Sequence, residues 1–239
     1  MPDGADLSVI CARPDGQDEA VGAPVSPVLT EASRYTDRIL FAGRFPNADV
    51  DPFLTARVVV VGEVSALAAV VLRLLRRGRL GSPETGSSTE PLAIGYVALQ
   101  RNDFQQRWNL PIGAAGVVAA CTGTARPIAF LRNDNGGVLV GTGVVDSPAG
   151  TVYVDETPVL RGSADRLVVR PGSETGLELT VERRRALRLP PRREVHLGRA
   201  ASIGFTAPTV VESDGIPAAR ALARWTWYVH TEPLPLVRP

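Results

Sequence analysis

Five residues have the type and spacing to handle a charged group at a strand-to-helix turn. Gly62, Glu63 and Ser65 follow directly on the β-branched run Val58–Val61, and Asn102 and Asp103 follow the apolar run Leu92–Leu99. A glycine in such a turn lets backbone N–H groups come close to an anion, because no Cβ stands in the way. Each residue also has a structural use. A carboxylate at Glu63 is favourable at the positive end of a helix. Asn102 and Asp103 are ordinary helix N-cap types. Ser65 has no histidine near it in sequence that would mark it as a nucleophile.

Other chemistry-bearing residues are few. His196 and His230 both fall in strand patterns, without a paired cysteine or acidic spacing, and read as structural. Cys11 and Cys121 sit in apolar contexts and read as buried thiols. All the basic side chains are arginine, so a Schiff-base lysine and a lysine-bearing P-loop are excluded. The densest basic segment is Val181–Glu194, with Arg183, Arg184, Arg185, Arg192 and Arg193. It offers a contact for phosphate headgroups at a membrane surface, against the plainer reading of a solvated hairpin connection. No basic stretch is interleaved with aromatics as a nucleic-acid platform requires, so no nucleic-acid partner is expected.

The elements that must position these residues are legible as patterns. Arg57–Val61 is a continuous β-branched run, as in a strand buried on both faces of a parallel sheet. The stretch after Glu63 has helical apolar spacing and ends on Arg76, Arg77 and Gly78. Strand, tight turn and helix make half of a nucleotide-binding βαβ unit. Leu92–Leu99 supplies a second strand, residues 102–111 a polar turn and short helix, residues 113–123 a small-residue helix, and residues 125–131 a third strand. Leu29–Ala42 is compatible with a helix capped by Thr30, with Ala32, Tyr35, Ile39 and Leu40 inside; residues 45–52 read as a loop and 81–90 as a Gly/Ser/Thr loop. Residues 1–28 read as a flexible segment around one apolar run, Leu7–Ala12, which is either an opening strand or a sticky patch. Beyond about Phe130, short alternating runs between turn residues predict an antiparallel sandwich, with Trp225 and Trp227 in its core.

With 239 residues, 44% hydrophobic content and a net charge of +1, the composition is that of a soluble globular protein with one large or two small domains. The run Val58–Leu75 is broken by Gly62, Glu63 and Arg73 and is too charged to span a bilayer. The first residues lack the pattern of a secretory signal, so the expected location is cytoplasmic, with peripheral contact at a membrane through the arginines.

From about residue 57 onward the sequence resembles the diacylglycerol kinase family, soluble bacterial branch. The strand leading into VGEVS stands where that family has GGDGT: Gly62, Glu63 and Ser65 keep the second glycine, the acid and the hydroxyl, and Val61 and Val64 replace glycines. LQRNDFQQRWNLP stands where the family has GTGNDFAR and a Leu/Ile-Pro pair. Asn102, Asp103, Phe104, Leu110 and Pro111 match, while Leu99, Gln100 and Arg101 replace GTG. In the segment before the domain crossover, Ala129 replaces the family's aspartate.

The resemblance implies an α/β domain of the NAD-kinase/diacylglycerol-kinase type over 29–130, followed by an antiparallel β-sandwich over 131–239. It implies ATP and magnesium as cofactors, with Glu63 catalytic and holding Mg²⁺, and Gly62, Ser65, Asn102 and Asp103 at the nucleotide. A lipid or other alcohol in an interdomain cleft would be the phosphoryl acceptor. The lost glycines also admit a catalytically inactive pseudo-kinase that serves as a ligand-binding or partner-docking protein, or a different reaction on a hydrophobic small molecule.

Overall fold

In the computed structural model, residues 6–12, 25–80, 92–172, 176–184 and 192–239 are described. The chain divides into two compact units: residues 1–127 with 232–239, and residues 128–231.

The α/β unit is built on a six-stranded sheet. Its strands are β1 (Leu7–Ala12), β2 (Ile39–Ala42), β3 (Arg57–Val61), β4 (Ala93–Val97), β5 (Thr124–Ile128) and β18 (Leu234–Arg238), in the order β2-β1-β3-β4-β18-β5. β1 runs parallel to β2 and β3, and β4 runs parallel to β3 and β18. The helices are α1 (Val25–Ala32), α2 (Val64–Arg76), the short α3 (Asp103–Arg107) and α4 (Gly113–Thr122). Val58 to Val61 are fully buried, as a strand covered on both faces must be. α4 packs closely on the sheet through small residues. A Cβ at Gly95 would lie 2.7 Å from the Ala120 Cβ.

Three expectations change here. Within the segment expected to be flexible, residues 7–12 are the opening strand and not the sticky patch: every one is buried, and the strand lies between β2 and β3. Residues 1–5 and 13–24 of the expected flexible segment lie outside the described residues, as do 81–90 and Arg185. The helix expected over 29–42 ends at Ala32, and Ile39–Ala42 is a strand instead. Thr36 ends the helical path by donating its hydroxyl to the Leu7 carbonyl at 2.8 Å, while Ile39–Ala42 find a parallel partner in Val9–Ala12. The expected loop over 45–52 contains a 3₁₀ helix, Ala48–Phe53, whose Asp51 is paired with Arg73 and Arg77 of the α2 region.

The last strand also differs from the expected boundaries. Leu234, Leu236 and Val237 are buried in the first sheet, so the closing residues complete the α/β unit and not the sandwich.

The β unit holds two antiparallel sheets. One has the order β10-β9-β14-β17-β6-β7, from β6 (Leu131–Asn133), β7 (Val138–Leu139), β9 (Ala149–Val154), β10 (Thr157–Ser163), β14 (Ala200–Thr209) and β17 (Leu222–Val229). The other has the order β13-β12-β11-β8-β15-β16, from β8 (Gly143–Asp146), β11 (Arg166–Pro171), β12 (Leu177–Arg183), β13 (Arg192–Gly198), β15 (Glu212–Ser213) and β16 (Ile216–Pro217). Their inner faces share a core that includes Val145, Leu167, Val169, Leu179 and Val181 from one sheet and Val152, Ile203, Trp225 and Trp227 from the other. The β15–β16 turn is anchored by Asp214, whose carboxylate accepts backbone N–H bonds from Val140, Gly141 and Thr142 at 2.8–3.0 Å.

Candidate functional site

The carboxyl ends of parallel strands are where an open α/β sheet exposes loops and helix N-termini to a ligand. Here β2, β3 and β4 end in three segments carrying Arg44, Gly62–Glu63 and Leu99–Asn102.

Gly62 has φ +142°, a backbone region that disfavours a side chain, and its N–H donates to the Val97 carbonyl at 3.1 Å. A Cβ there would meet the Ala12 oxygen at 3.1 Å and the Ala12 Cβ at 3.3 Å. The need for glycine is therefore satisfied within the protein, since the end of β1 fills the space. Glu63 is the N-cap of α2 in extended conformation, and its side chain does not cap. Its Oε2 instead accepts from the Arg44 guanidinium, at 3.1 Å from Nε and 3.0 Å from the terminal nitrogen, and from the Ser65 hydroxyl at 3.4 Å. Arg44 also lies over the exposed Phe45 ring, 5.3 Å from its centroid. Ser65 is 2% exposed, and Val61 is packed in the core with Leu99 against it.

Asn102 is the N-cap of α3: its Oδ1 accepts from the Gln105 N–H at 2.8 Å. Its Nδ2 donates to the Tyr96 hydroxyl at 3.0 Å, and that hydroxyl donates to the Gly62 carbonyl at 2.9 Å. Thus Gly62 and Asn102 are brought together through Tyr96, a residue that sequence reasoning missed. The signal was present, because a tyrosine inside the apolar run AIGYV must find a partner for its hydroxyl once buried. Phe104 stacks edge-on against Tyr96, with ring centroids 5.3 Å apart. Asp103 is exposed in the first turn of α3. Arg44 was also missed, and nothing in the sequence around it marks it as a partner for Glu63, 19 residues away.

In this arrangement the turn's carboxylate and its backbone space both have partners within the protein. Glu63 is the carboxylate of its turn and is already held by a guanidinium; among the described residues no three His, Cys, Asp or Glu side chains gather as a metal site. The backbone space at Gly62 is filled by Ala12. What the turn does accommodate is one anionic group between Arg44, Ser65 and the start of α2, and Glu63 supplies it.

The remaining candidates stand apart from this turn in the chain. Arg183 and Arg192 are both paired with Glu194, Arg193 with Glu182, and Arg184 approaches Asp165 at 3.6 Å. His196 and His230 are half-buried in the β unit. Cys11 is buried, and burial pushes the Cys121 thiol up to about 11. Among the described residues no helix is long and apolar enough to cross a membrane.

No protein-family model matches the chain, and no curated protein matches it in sequence. Solved structures do match. A diacylglycerol kinase from Bacillus anthracis str. Sterne superposes with a TM-score of 0.66 at 9% identity, covering 98% of this chain and 97% of that one. An NAD kinase from Archaeoglobus fulgidus in complex with ATP gives a TM-score of 0.59 at 11% identity, covering 95% and 92%. At such identities the likeness is one of architecture: the chain has the fold of diacylglycerol kinase and NAD kinase, an α/β domain together with an antiparallel β-sandwich.

Proposed function

We propose that this chain is a kinase-fold protein that binds a phosphate-bearing ligand at the end of β3 without transferring a phosphoryl group. The reading is supported above all by the Arg44–Glu63 pair at the start of α2, which occupies the turn with an internal carboxylate. A helix N-terminus with a guanidinium beside it suits an anion. Glu63 then competes with the ligand for that place instead of holding a metal for it.

A second reading is ATP-dependent phosphoryl transfer to a lipid or other alcohol. One observation favours it: Glu63 is 55% exposed and Arg44 40% exposed. A surface ion pair of this kind is worth about 0–1 kcal/mol, so a bound cation could displace the arginine.

Thermal stability with ATP, with and without magnesium, separates the two. Under the first reading ATP alone raises Tm, Arg44→Ala removes the rise and Glu63→Gln enlarges it, because a competing charge is gone. A rise that needs magnesium and is abolished by Glu63→Gln would establish the second reading, and radiolabelled phosphate appearing on a diacylglycerol would do the same. No shift with millimolar ATP in either condition would sink both.

A further inference from the structure

We infer that the outer face of the sheet formed by β10, β9, β14, β17 and β6 binds single-stranded nucleic acid, with Arg132, Arg161 and Arg224 on its phosphates and a base stacked on Tyr153. Residues paired across antiparallel strands point to the same side of a sheet, and neighbours along a strand to opposite sides. Val152, Ile203 and Trp225 lie in the sandwich core, so the alternate positions face outward. Those positions form rows. Arg161, Thr151, Gly204 and Arg224 pair in turn across β10, β9, β14 and β17. Pro158, Tyr153, Ser202 and Thr226 make the next row, and Ala200, Tyr228 and Arg132 a further one across β14, β17 and β6. Along the chain these residues are scattered from 132 to 228, so no single stretch of sequence displays them together.

Every polar side chain in these rows is an arginine or a hydroxyl. Arg161, Gly204 and Arg224 are exposed, and Tyr153 is 37% exposed. A Cβ at Gly204 would meet nothing within 4 Å, so the middle of the first row is open between guanidinium groups whose Cα atoms stand about 14 Å apart, three strand spacings. Arg132 is half-buried, and its Nε has no hydrogen-bond partner. The other sheet treats charge differently. There Arg166, Arg183, Arg184, Arg192 and Arg193 all stand against carboxylates, whereas Arg132, Arg161 and Arg224 have none among the described residues. The carboxylates at the margin are held by backbone: Asp155 accepts from the Arg199 and Ala200 N–H groups, and Asp134 from Thr226 N–H at 3.4 Å. Charge left unpaired on one flat face complements a polyanion. The ring and the hydroxyls select its kind. A base of any type can stack on a tyrosine face, and Thr151, Ser202 and Thr226 can serve sugar and phosphate oxygens. A bilayer surface would instead be met by protruding apolar side chains.

Fluorescence anisotropy of a labelled single-stranded oligonucleotide of about 12 nucleotides, titrated with the full chain, tests this. Binding should fall with salt at a slope near −2 in log K against log concentration, about 0.7 for each of the phosphates met by an arginine. Arg161→Gln or Arg224→Gln should weaken binding and reduce that slope by about 0.7. Arg166→Gln removes the same charge from the other sheet and should change neither. Tyr153→Ala should weaken binding about fivefold or more and Tyr153→Phe should restore it, since stacking needs the ring and not the hydroxyl. Circular dichroism should be unchanged in all of these, because each side chain lies on the outer face. Arg44→Ala should leave the affinity as it is, which separates this face from the turn after β3. Absence of binding at micromolar protein, equal losses for Arg166→Gln and Arg161→Gln, or indifference to Tyr153→Ala would each overturn the proposal. So would flotation with phosphatidylserine vesicles that is lost in Arg161→Gln while the oligonucleotide goes unbound, which would make the face a membrane contact.

Discussion

Tyr96 does more for the candidate site than any residue of the signature-like stretches themselves. Its hydroxyl connects the carbonyl of Gly62 to the amide of Asn102, and so fixes the turn after β3 to the turn after β4. Tyr96→Phe should cost about 1–2 kcal/mol in urea denaturation, since it leaves a buried carbonyl and an amide without their partner. A loss within error of zero would mean that the two turns are held by packing alone. At this scale the sequence was only partly legible. The types at Gly62, Glu63, Ser65, Asn102 and Asp103 mark the two turns correctly, but their use is set by Arg44, Ala12 and Tyr96, which approach from elsewhere in the chain.

Strands and helices with strong periodicity stand where their patterns put them: β3, α2, β4 and α4 in the first half, and the alternating runs of the sandwich in the second. Ile39–Ala42 was misread as helix because a four-residue apolar run is decided by its neighbour, and parallel pairing with β1 outweighs local propensity. The β12–β13 hairpin shows the same limit for charge. Read along the sequence it is a basic cluster. Among the described residues, Arg183, Arg184, Arg192 and Arg193 stand among Glu182, Glu194 and Asp165, four charges against three, while Arg185 and Arg188 of the same segment lie outside them. At about 1 kcal/mol of attraction per uncompensated arginine near an anionic surface, peripheral membrane contact through the four paired arginines alone should be weak. Flotation with vesicles rich in anionic phospholipid at physiological salt should carry little more protein than neutral vesicles do. Strong, salt-sensitive flotation that is lost in Arg184→Glu would show that the cluster does meet a membrane.

For the whole molecule, the decisive element is β18. The sequence separates an α/β half from a β half near residue 130, yet residues 232–239 return to the first sheet, between β4 and β5. Leu234, Leu236 and Val237 are buried there. Burial of a large aliphatic side chain is worth about 1.5–3 kcal/mol, so losing three approaches the entire net stability of a domain. Removing residues 232–239 should therefore abolish cooperative thermal unfolding of the α/β unit while leaving a transition for residues 128–231. Retention of both transitions would show that the sheet closes without β18. Single-sequence patterns could not reveal this return, because a short apolar run following a β-sandwich looks like one more of its strands.

The position of β18 also sets an order on biosynthesis. A ribosome delivers β1 to β5 first, then the whole of residues 128–231, and only afterwards the strand that belongs between β4 and β5. The β unit has all its strands in hand as soon as residue 231 has emerged. The nascent α/β sheet must wait with a gap at its interior and a pair of unsatisfied strand edges, the kind of intermediate on which chaperones act. Long-range pairing of this sort is slow to form, so chain order and topology together predict a slow refolding phase that is lost when residues 232–239 are removed, read by stopped-flow fluorescence.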